Sequence, residues 1–396
     1  MNDIEYKDWS SPTYQGPAFK IAAGVVGYQI LEAASAKGLV VVTGECPTVG
    51  LAGGYTQGGG HSALSTKFGL GADNTLEFEV VTAAGKLVKA SRSENPDLFW
   101  ALSGGGGGNY GVVMSMVVKA YKDAPIAGAS LQFTAANITT DTFYEAVSRF
   151  HSLLPAMVDQ GVTVIYQMTS SVFIINPITA YNQTTDDVKA ILRPFTSALT
   201  KLNIKYKASV SQHKSYYDHY NKYMGPLPWG NLAVGSYQYG GRLIPRKTLE
   251  QNSNGMASAL RNITQAGVIA VGVGMNVSAP VNVSNAVFPA LRNAAVTMQI
   301  GTPWNETAPW SQMLADQRKM TTEYVPQLEA VTPDSGCYQN EANFRQPNWK
   351  QTFFGSNYPR LLAVKRKWDP SSFFYALKAV GSDVWSVSES GRMCRA

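Results

Sequence analysis

Two glycine-rich segments, and the cysteine that precedes the first of them, constrain this chain most strongly. Six glycines follow Cys46 between residues 50 and 60, and five consecutive glycines occupy residues 104–108. Glycine allows positive φ angles and close approach of the backbone to a ligand, and successive N–H groups in such segments form nests that bind phosphate. Each segment alone is also typical of a flexible loop, and a lone cysteine is often only a small apolar residue. Together they favour a fold that holds a large phosphorylated cofactor.

The order of the motifs around Cys46 is more specific than the glycine content. Cys-Pro-Thr-Val-Gly at 46–50 is followed by Gly-Gly-Gly-His at 58–61, Asp-Asn at 73–74 and an Asn-Pro-Asp-Leu-Phe-Trp segment at 95–100. This series resembles the flavin domain of the berberine bridge enzyme-like oxidoreductases, which belong to the vanillyl-alcohol oxidase type of FAD proteins. The resemblance covers essentially the whole chain and is greatest to the fungal secreted branch. Later matching segments are residues 242–246, 301–304, 340–342, 355–361 and 367–370.

The resemblance implies a covalently bound FAD. In family members with this motif, the cysteine that matches Cys46 is joined through sulfur to C6 of the flavin ring, and a histidine from an earlier lobe bonds the 8α carbon. Residues 1–18 have the composition of a polar loop, and the sequence is expected to lack that lobe. His61 is expected to support packing in its loop. The residues that the resemblance assigns to FAD are Cys46, Pro47, Thr48, Val49, Gly50, Gly53, Gly54, Gly58, Gly59, Gly60, His61, Asp73, Asn74, Gly106, Gly107, Asn109, Gly111, Val113 and Asn357.

Composition excludes several classes of protein. The chain has 45% hydrophobic and 15% charged residues, which argues for folded domains. Its net charge of +6 is spread along the chain, so nucleic-acid binding is not expected, and no apolar run reaches the roughly 18 residues that cross a membrane. We expect a secreted monomer that acts on a small molecule and O2. Six Asn-x-Ser/Thr sequons support the secretory pathway: Asn137, Asn182, Asn262, Asn276, Asn282 and Asn305.

Hydrophobic periodicity predicts an α+β fold in three regions. By the resemblance, residues 1–121 are expected to form the second lobe of a PCMH-type FAD-binding domain and residues 335–396 a segment that returns to it. Residues 122–334 are predicted to form an antiparallel sheet backed by helices, as in the family's substrate domain. The strands predicted in the second region are 130–134, 162–168, 172–175, 268–275 and 296–300, and the helices are 142–157, 186–199, 247–266 and 310–328.

The reaction needs a base near the flavin, because hydride leaves the substrate carbon only as a proton leaves the attached oxygen or nitrogen. By resemblance, Glu341 or Tyr338 is the candidate base and Tyr358 positions the substrate. The alternative, a surface or salt-bridged Glu341 with tyrosines that only pack, stays open. An aromatic group could likewise line a pocket or simply pack: Tyr216, Tyr217, Tyr220, Tyr223, Tyr237 and Tyr239.

The sequence thus predicts an FAD-dependent oxidase that acts on an alcohol or amine carbon of a sugar or secondary metabolite. No Gly-x-Ser-x-Gly or Walker motif occurs, and His213 and His219 are not spaced as a usual zinc pair, so acyl transfer, nucleotide hydrolysis and metal chemistry are not favoured. A second hypothesis is a flavin-free relative that catalyses a cyclisation or binds a metabolite. A third is an inactive fragment.

Overall fold

The structure, a computed structural model, describes residues 1–231, 235–278, 284–388 and 390–396. The first part of the chain contains seven strands and three helices: β1 (Ile4–Ser11), β2 (Tyr14–Ala22), β3 (Leu39–Val40), β4 (Thr75–Val81), β5 (Leu87–Ser91), β6 (Val112–Lys119), β7 (Tyr121–Lys122), α1 (Gly27–Ser35), α2 (Ser65–Phe68) and α3 (Pro96–Leu102). Five of the strands form an antiparallel sheet in the order β1-β2-β6-β4-β5, and β3 pairs with β7. The two glycine-rich segments are the connections that follow β3 and α3.

The middle of the chain forms a larger antiparallel sheet that is flanked by helices. Its strands are β8 (Ile126–Thr134), β9 (Thr163–Met168), β10 (Val172–Tyr181), β11 (Tyr206–His213), β12 (Tyr237–Pro245), β13 (Ile269–Gly274) and β14 (Ala294–Pro303). Its helices are α4 (Thr140–Val158), α5 (Thr185–Lys201), α6 (Tyr216–Tyr223), α7 (Arg246–Gln251), α8 (Ser253–Gln265), α9 (Pro289–Asn293), α10 (Trp310–Lys319) and α11 (Val325–Val331). The strand order is β11-β8-β10-β9-β13-β14-β12.

Helices α4, α5, α8 and α11 cover one face of this sheet, whereas α6 packs on part of the other face, where Nε2 of His219 lies 2.9 Å from Oγ1 of Thr179 on β10. Successive side chains of a strand point to opposite faces, and in β9 Tyr166 and Met168 are buried in the core formed with α4, α5, α8 and α11. Ile165 and Gln167, which alternate with them, lie on the opposite face and line a cavity. The alternation therefore leaves part of this second face, which we call the free face, open to a ligand.

The last part of the chain packs back onto the first. It contains α12 (Trp349–Phe354), α13 (Tyr358–Trp368), β15 (Trp385–Val387) and β16 (Met393–Arg395), and Phe354, Leu361 and Val364 are buried in the same core as residues of β2, β4 and α3. Nζ of Lys365, on α13, lies 2.7 Å from the carbonyl oxygen of Asn109 and 2.6 Å from Oδ2 of Asp369. This buried ion pair ties the C-terminal helix to the second glycine-rich segment.

The predicted polar loop over residues 1–18 is wrong, because β1 and most of β2 occupy it as a hairpin. β1 is an edge strand whose burial is only partial, so it needs little apolar sequence. Its Tyr6 ring packs edge-on against Phe19 with centroids 5.8 Å apart. A strand with one half-buried face and one solvated face gives a weak hydrophobic signal.

The α+β class is confirmed, and the structure refines several elements. The helix predicted over residues 247–266 is divided into α7 and α8 at Asn252, whose side-chain oxygen accepts a hydrogen bond from Gly255 N–H at 3.2 Å and caps the second helix. The helix predicted over 310–328 is α10 and α11 joined by one wider turn at Met320–Tyr324. Strands β11 and β12 were not predicted. The three domain boundaries stay a prediction.

Candidate active site

A cavity of about 800 Å³ lies between the free face of the seven-stranded sheet and the turn that carries Cys46. The sheet supplies aliphatic and amide side chains, and the opposite wall is polar. That wall contains Glu45, Cys46, His61, Asn340 and Glu341. Residues from the first glycine-rich segment and from the C-terminal part of the chain therefore meet at one site.

The turn that carries Cys46 is held from two sides. Tyr28 N–H, in the first turn of α1, donates to the carbonyl oxygen of Pro47 at 2.8 Å. The hydroxyl of Tyr220, on α6, lies 2.9 Å from the carbonyl oxygens of both residues 44 and 45. Cys46 is half-buried, and its Sγ lies 3.4 Å from Oγ1 of Thr48. These contacts fix a thiol that lines the cavity.

Three ionisable side chains form a cluster beside Cys46, and we call it the Glu45–His61–Glu341 cluster. Nε2 of His61 lies 2.6 Å from Oε1 of Glu341, and Nδ1 lies 3.4 Å from Oε2 of Glu45. The other carboxylate oxygen of Glu45 is buried without a partner in the described part of the chain. The cluster therefore places two carboxylates and one imidazole at one end of the cavity.

The two carboxylates set the charge of His61. Burial alone lowers the pKa of this imidazole, but attraction by Glu341 and Glu45, together with hydrogen bonding to them, raises the pKa well above its ordinary value. The ring is therefore protonated at neutral pH and acts as a partner of the carboxylates, not as a base. With two negative charges and one positive charge, the cluster has a net charge of −1.

This raised pKa predicts a pH-dependent stability. A histidine whose pKa is higher in the folded protein than in the unfolded chain stabilises the fold. The stabilisation is complete below the pKa of the unfolded chain, about 6.5, and is lost as the pH rises through the pKa of the folded protein. His61→Gln keeps a hydrogen-bond donor but cannot titrate. We expect the variant to melt several degrees below the wild type at pH 6, because a hydrogen bond to a charged group contributes about 1.5–3 kcal/mol. The difference in Tm should shrink towards pH 10, and a constant difference would contradict the prediction.

Tyr338 and Asn340 tie the C-terminal turn at residues 339–341 to the first glycine-rich segment. Gly60 N–H donates to the Tyr338 hydroxyl oxygen at 3.1 Å, and Nδ2 of Asn340 donates to the Gly54 carbonyl oxygen at 2.8 Å. Burial raises the pKa of Tyr338 to about 12, against the opposing effect of the nearby His61 charge. Glu341 is among the described residues that line the cavity, whereas Tyr338 lies behind them.

The two glycine-rich segments touch each other. A Cβ atom on Gly107 would lie only 3.0 Å from Cα of Gly54, so this close approach favours glycine. Gly106, with φ +107°, donates its N–H to the Gln57 carbonyl oxygen at 2.8 Å. Cβ atoms on Gly53, Gly54 or Gly108 would meet nothing within 4 Å. The open space beside these backbones fits the phosphates or ring of FAD.

Asp73 and Asn74 have structural partners for their polar atoms. Arg292 donates to both carboxylate oxygens of Asp73, at 2.6 and 2.8 Å, and Asn285 and the Leu70 N–H complete its hydrogen bonds. Asn74 donates to two carbonyl oxygens of its own loop and accepts from Tyr121 at 2.6 Å. These side chains support the loop after the first glycine-rich segment and have little capacity left for a ligand.

Other residues assigned to FAD lie in backbone segments around the glycines. Nδ2 of Asn109 donates to the Val380 carbonyl oxygen at 3.1 Å, and Nδ2 of Asn357 lies 3.2 Å from the carbonyl oxygens of residues 286 and 287. Gly111 and Val113 pack against β4. Their contact with FAD stays a prediction.

Tyr358 is not brought to the cavity. Its ring packs on Trp349 and Phe354, and its hydroxyl oxygen accepts from Gly381 N–H at 3.3 Å. α13 begins at this residue and belongs to the core of the first part of the chain. The placement supports a packing role and does not support the predicted substrate-positioning role.

Some tyrosines of the aromatic group pack in a core, and others line the cavity. Tyr216 and Tyr220 are fully buried in a core below the Cys46 turn. Tyr223, Tyr237 and Tyr239 line the cavity. Both interpretations of the group are therefore correct, each for different residues.

Sequence reasoning missed Glu45, the contact of Tyr220 with the Cys46 turn and the free face of the sheet. Glu45 could have been found from its position next to Cys46. Tyr220 could not, because its contact with the Cys46 turn depends on how α6 packs. The sheet face was recoverable from the period of two in the predicted strands.

The fold, the two touching glycine-rich segments and the cavity beside Cys46 define a flavoprotein of the vanillyl-alcohol oxidase type. The chain superposes on the VAO-type flavoprotein MtVAO615 from Myceliophthora thermophila C1 with a TM-score of 0.94 at 38% identity, covering 100% of this chain and 73% of that one. Residues 14–91 match the family model described as FAD binding domain, and residues 337–381 match the one described as Berberine and berberine like.

Relatives agree with these matches. The FAD-linked oxidoreductase ZEB1 of Gibberella zeae is 50% identical over 396 residues, which are 100% of this chain and 69% of ZEB1. The FAD-linked oxidoreductase patO of Aspergillus clavatus is 48% identical over 397 residues, which cover 100% of this chain and 69% of patO. The chain belongs to the berberine bridge enzyme-like FAD-linked oxidoreductases. It is an FAD-dependent oxidoreductase, and this result disfavours the flavin-free hypothesis.

Among the residues that the structure describes, no helix combines the length and the hydropathy that crossing a bilayer requires.

Proposed function

We propose that this protein is an oxidase that removes two hydrogens from an alcohol or amine carbon of a small organic substrate, such as a sugar or secondary metabolite, and uses O2 as the electron acceptor. The main support is that Cys46 and Glu341 line the same cavity. A residue able to hold the flavin and a residue able to take a proton thus face one substrate space.

Cys46 is proposed to hold FAD through its sulfur, and the touching glycine-rich segments to bind the rest of the cofactor. When bound, FAD accepts the hydride equivalent from the substrate carbon and passes the electrons to O2. The half-buried thiol lies in a turn fixed by α1 and α6. A fixed turn favours a defined position for the sulfur.

Glu341 is the better candidate for the base. Its carboxylate lines the cavity and is oriented by the 2.6 Å contact with protonated His61. Tyr338 stays protonated at neutral pH because its pKa is raised to about 12, and its oxygen already accepts from Gly60. Glu341 would take the proton of the substrate O–H or N–H as the carbon loses hydride. The balanced reaction is R2CHOH + O2 → R2CO + H2O2.

Hydrogen peroxide formation tests this function. FAD-loaded protein is incubated with a panel of alcohols, amines and oligosaccharides, and H2O2 and carbonyl product are measured. We expect equal amounts of both with at least one member, and loss of flavin colour with that substrate under argon. Colour loss without H2O2 in air would instead indicate a dehydrogenase. Retention of colour with every compound would contradict the oxidoreductase step for this panel.

Secretion and glycosylation are part of the same proposal. Four of the six sequon asparagines are exposed: Asn137, Asn182, Asn262 and Asn305. Asn276 is half-buried, and Asn282 lies outside the described residues. Exposed sequons are accessible to glycosylation in a secreted protein.

A further inference from the structure

The free face of the seven-stranded sheet carries a row of side chains across four strands. Ile174 of β10 lies opposite Gln167 of β9, Gln167 opposite Val271 of β13, and Val271 opposite Gln299 of β14. All four line the cavity, and we call them the platform row. At the usual spacing of neighbouring strands, the row spans about 14 Å, which is the length of two or three fused rings.

The platform row ends at Glu341. Gln299 pairs with Gly241 of β12, and a Cβ atom on Gly241 would lie 2.5 Å from the carbonyl oxygen of Glu341 and 2.9 Å from Sγ of Cys337. The turn that carries Glu341 can lie on the sheet only because residue 241 has no side chain. A molecule that lies along the row therefore presents one end to the Glu341 carboxylate.

The platform row has no charged side chain and combines aliphatic with amide side chains. Ile174 and Val271 offer methyl groups to a ring face, and Gln167 and Gln299 offer both a donor and an acceptor to ring substituents. These side chains are partly exposed to the cavity. An amphipathic, flat molecule can satisfy both types of side chain at once.

The charged groups that line the cavity carry more negative than positive charge. The Glu45–His61–Glu341 cluster has a net charge of −1, and the described residues that line the cavity include no lysine or arginine. Arg242, next to Gly241, points to the helical face of the sheet, where its Nε donates to Oγ1 of Thr332 at 2.8 Å. An anionic substrate would therefore lose its hydration and meet no unpaired cation among these residues, because His61 is already paired with Glu45 and Glu341.

We propose that the cavity selects a flat, amphipathic substrate of two or three rings that is uncharged or cationic, with a hydroxyl or amino group facing Glu341. Carboxylate and phosphate derivatives are excluded. The proposal rests on the proposed function for the reaction at Glu341 but concerns binding, so it can be tested without turnover.

A matched charge series tests the substrate class. The probes 2-naphthylmethanol, 2-naphthylmethylamine and 2-naphthoate share one ring system and are neutral, cationic and anionic at pH 7. Their Kd values for FAD-loaded protein are measured by saturation-transfer NMR under argon. We expect the alcohol and the amine to bind about tenfold or more tightly than the carboxylate, a ratio that marks a clear preference.

Variants test whether the platform row determines the preference for uncharged and cationic probes. Gln299→Lys adds a cation to the row and should bring naphthoate to the affinity of the alcohol or beyond, while it weakens the amine. Gln167→Lys, at a more exposed position, serves if the first variant does not fold. Glu306→Gln changes a charge at an exposed position outside the cavity and should leave all three Kd values unchanged.

Three results would overturn the inference: naphthoate binding as tightly as the alcohol in the wild type, no binding of any probe, or an unchanged order in the lysine variants. The oxidase function is judged separately. If the probes bind in the expected order but no alcohol yields H2O2, only the proposed function fails. If alcohols yield H2O2 but the order is reversed, only the substrate class fails.

Discussion

Glu341→Gln is expected to lower kcat/KM by about a thousandfold, within the range of 10²–10⁴ that a positioned base contributes. The amide keeps the size of the side chain and can still accept a hydrogen bond from His61, but it cannot take the substrate proton. The flavin absorbance of the variant should remain, because Glu341 is not proposed to hold the cofactor. Steady-state rates of H2O2 formation, measured with the substrate found in the panel, give the comparison.

Two control variants make this result specific. Tyr338→Phe should lose less than about tenfold in kcat/KM, because the hydroxyl lies behind the cavity wall and supports the Gly60 backbone; a neutral buried hydrogen bond contributes only about 1 kcal/mol. Glu323→Gln, at an exposed position on the helical side, should be unchanged. A full loss of activity in Tyr338→Phe with normal activity in Glu341→Gln would assign the base to the tyrosine.

Cys46→Ser is expected to abolish covalent retention of flavin in this chain of 396 residues. A serine hydroxyl is a far weaker nucleophile than a thiol near neutral pH, so the bond to the ring should not form. Acid precipitation should leave yellow colour in the wild-type pellet and release it to the supernatant for the variant. The visible spectrum of each fraction measures the effect.

Cys394→Ser is the matched control, because Cys394 is exposed on β16 and is not among the residues that line the cavity. Its pellet should keep the colour. If the Cys46→Ser pellet also stays yellow, a different residue holds the flavin. If the wild-type pellet is colourless while the supernatant is yellow, FAD binds without a covalent bond.

Strong local patterns predicted much of the fold. β9 and β13 match their predicted positions to within one residue, and α4 and α5 extend only one to two residues beyond the predicted bounds. In these segments the spacing of the apolar residues and the positions of the turn residues indicate the same element. The solvated strands β1 and β11 were missed because their side chains are mostly exposed or half-buried, and their pairing is decided by the neighbouring strand.

The candidate site was predicted in part. The Cys46 motif identified a residue that does line the cavity, and Glu341 was named as a candidate base before its surroundings were known. The role of His61 was not anticipated, since a packing role was expected for it. Its contact with Glu341 joins residues 280 positions apart, and no local pattern reports such a pair.

By itself, the sequence determined the cofactor class, through its resemblance to a known family, the α+β character and the alternation of side chains along the strands. These properties depend on residues that are close in the chain, through backbone freedom at glycine and side-chain period in strands. Only the tertiary structure decided that Glu45, His61 and Glu341 form one cluster and that Gly241 lets Glu341 lie at the end of the platform row. The physical reason is that both features depend on residues that are distant in the sequence. The charge of His61 depends on its burial beside two carboxylates, and the position of Glu341 depends on how closely its backbone approaches Gly241.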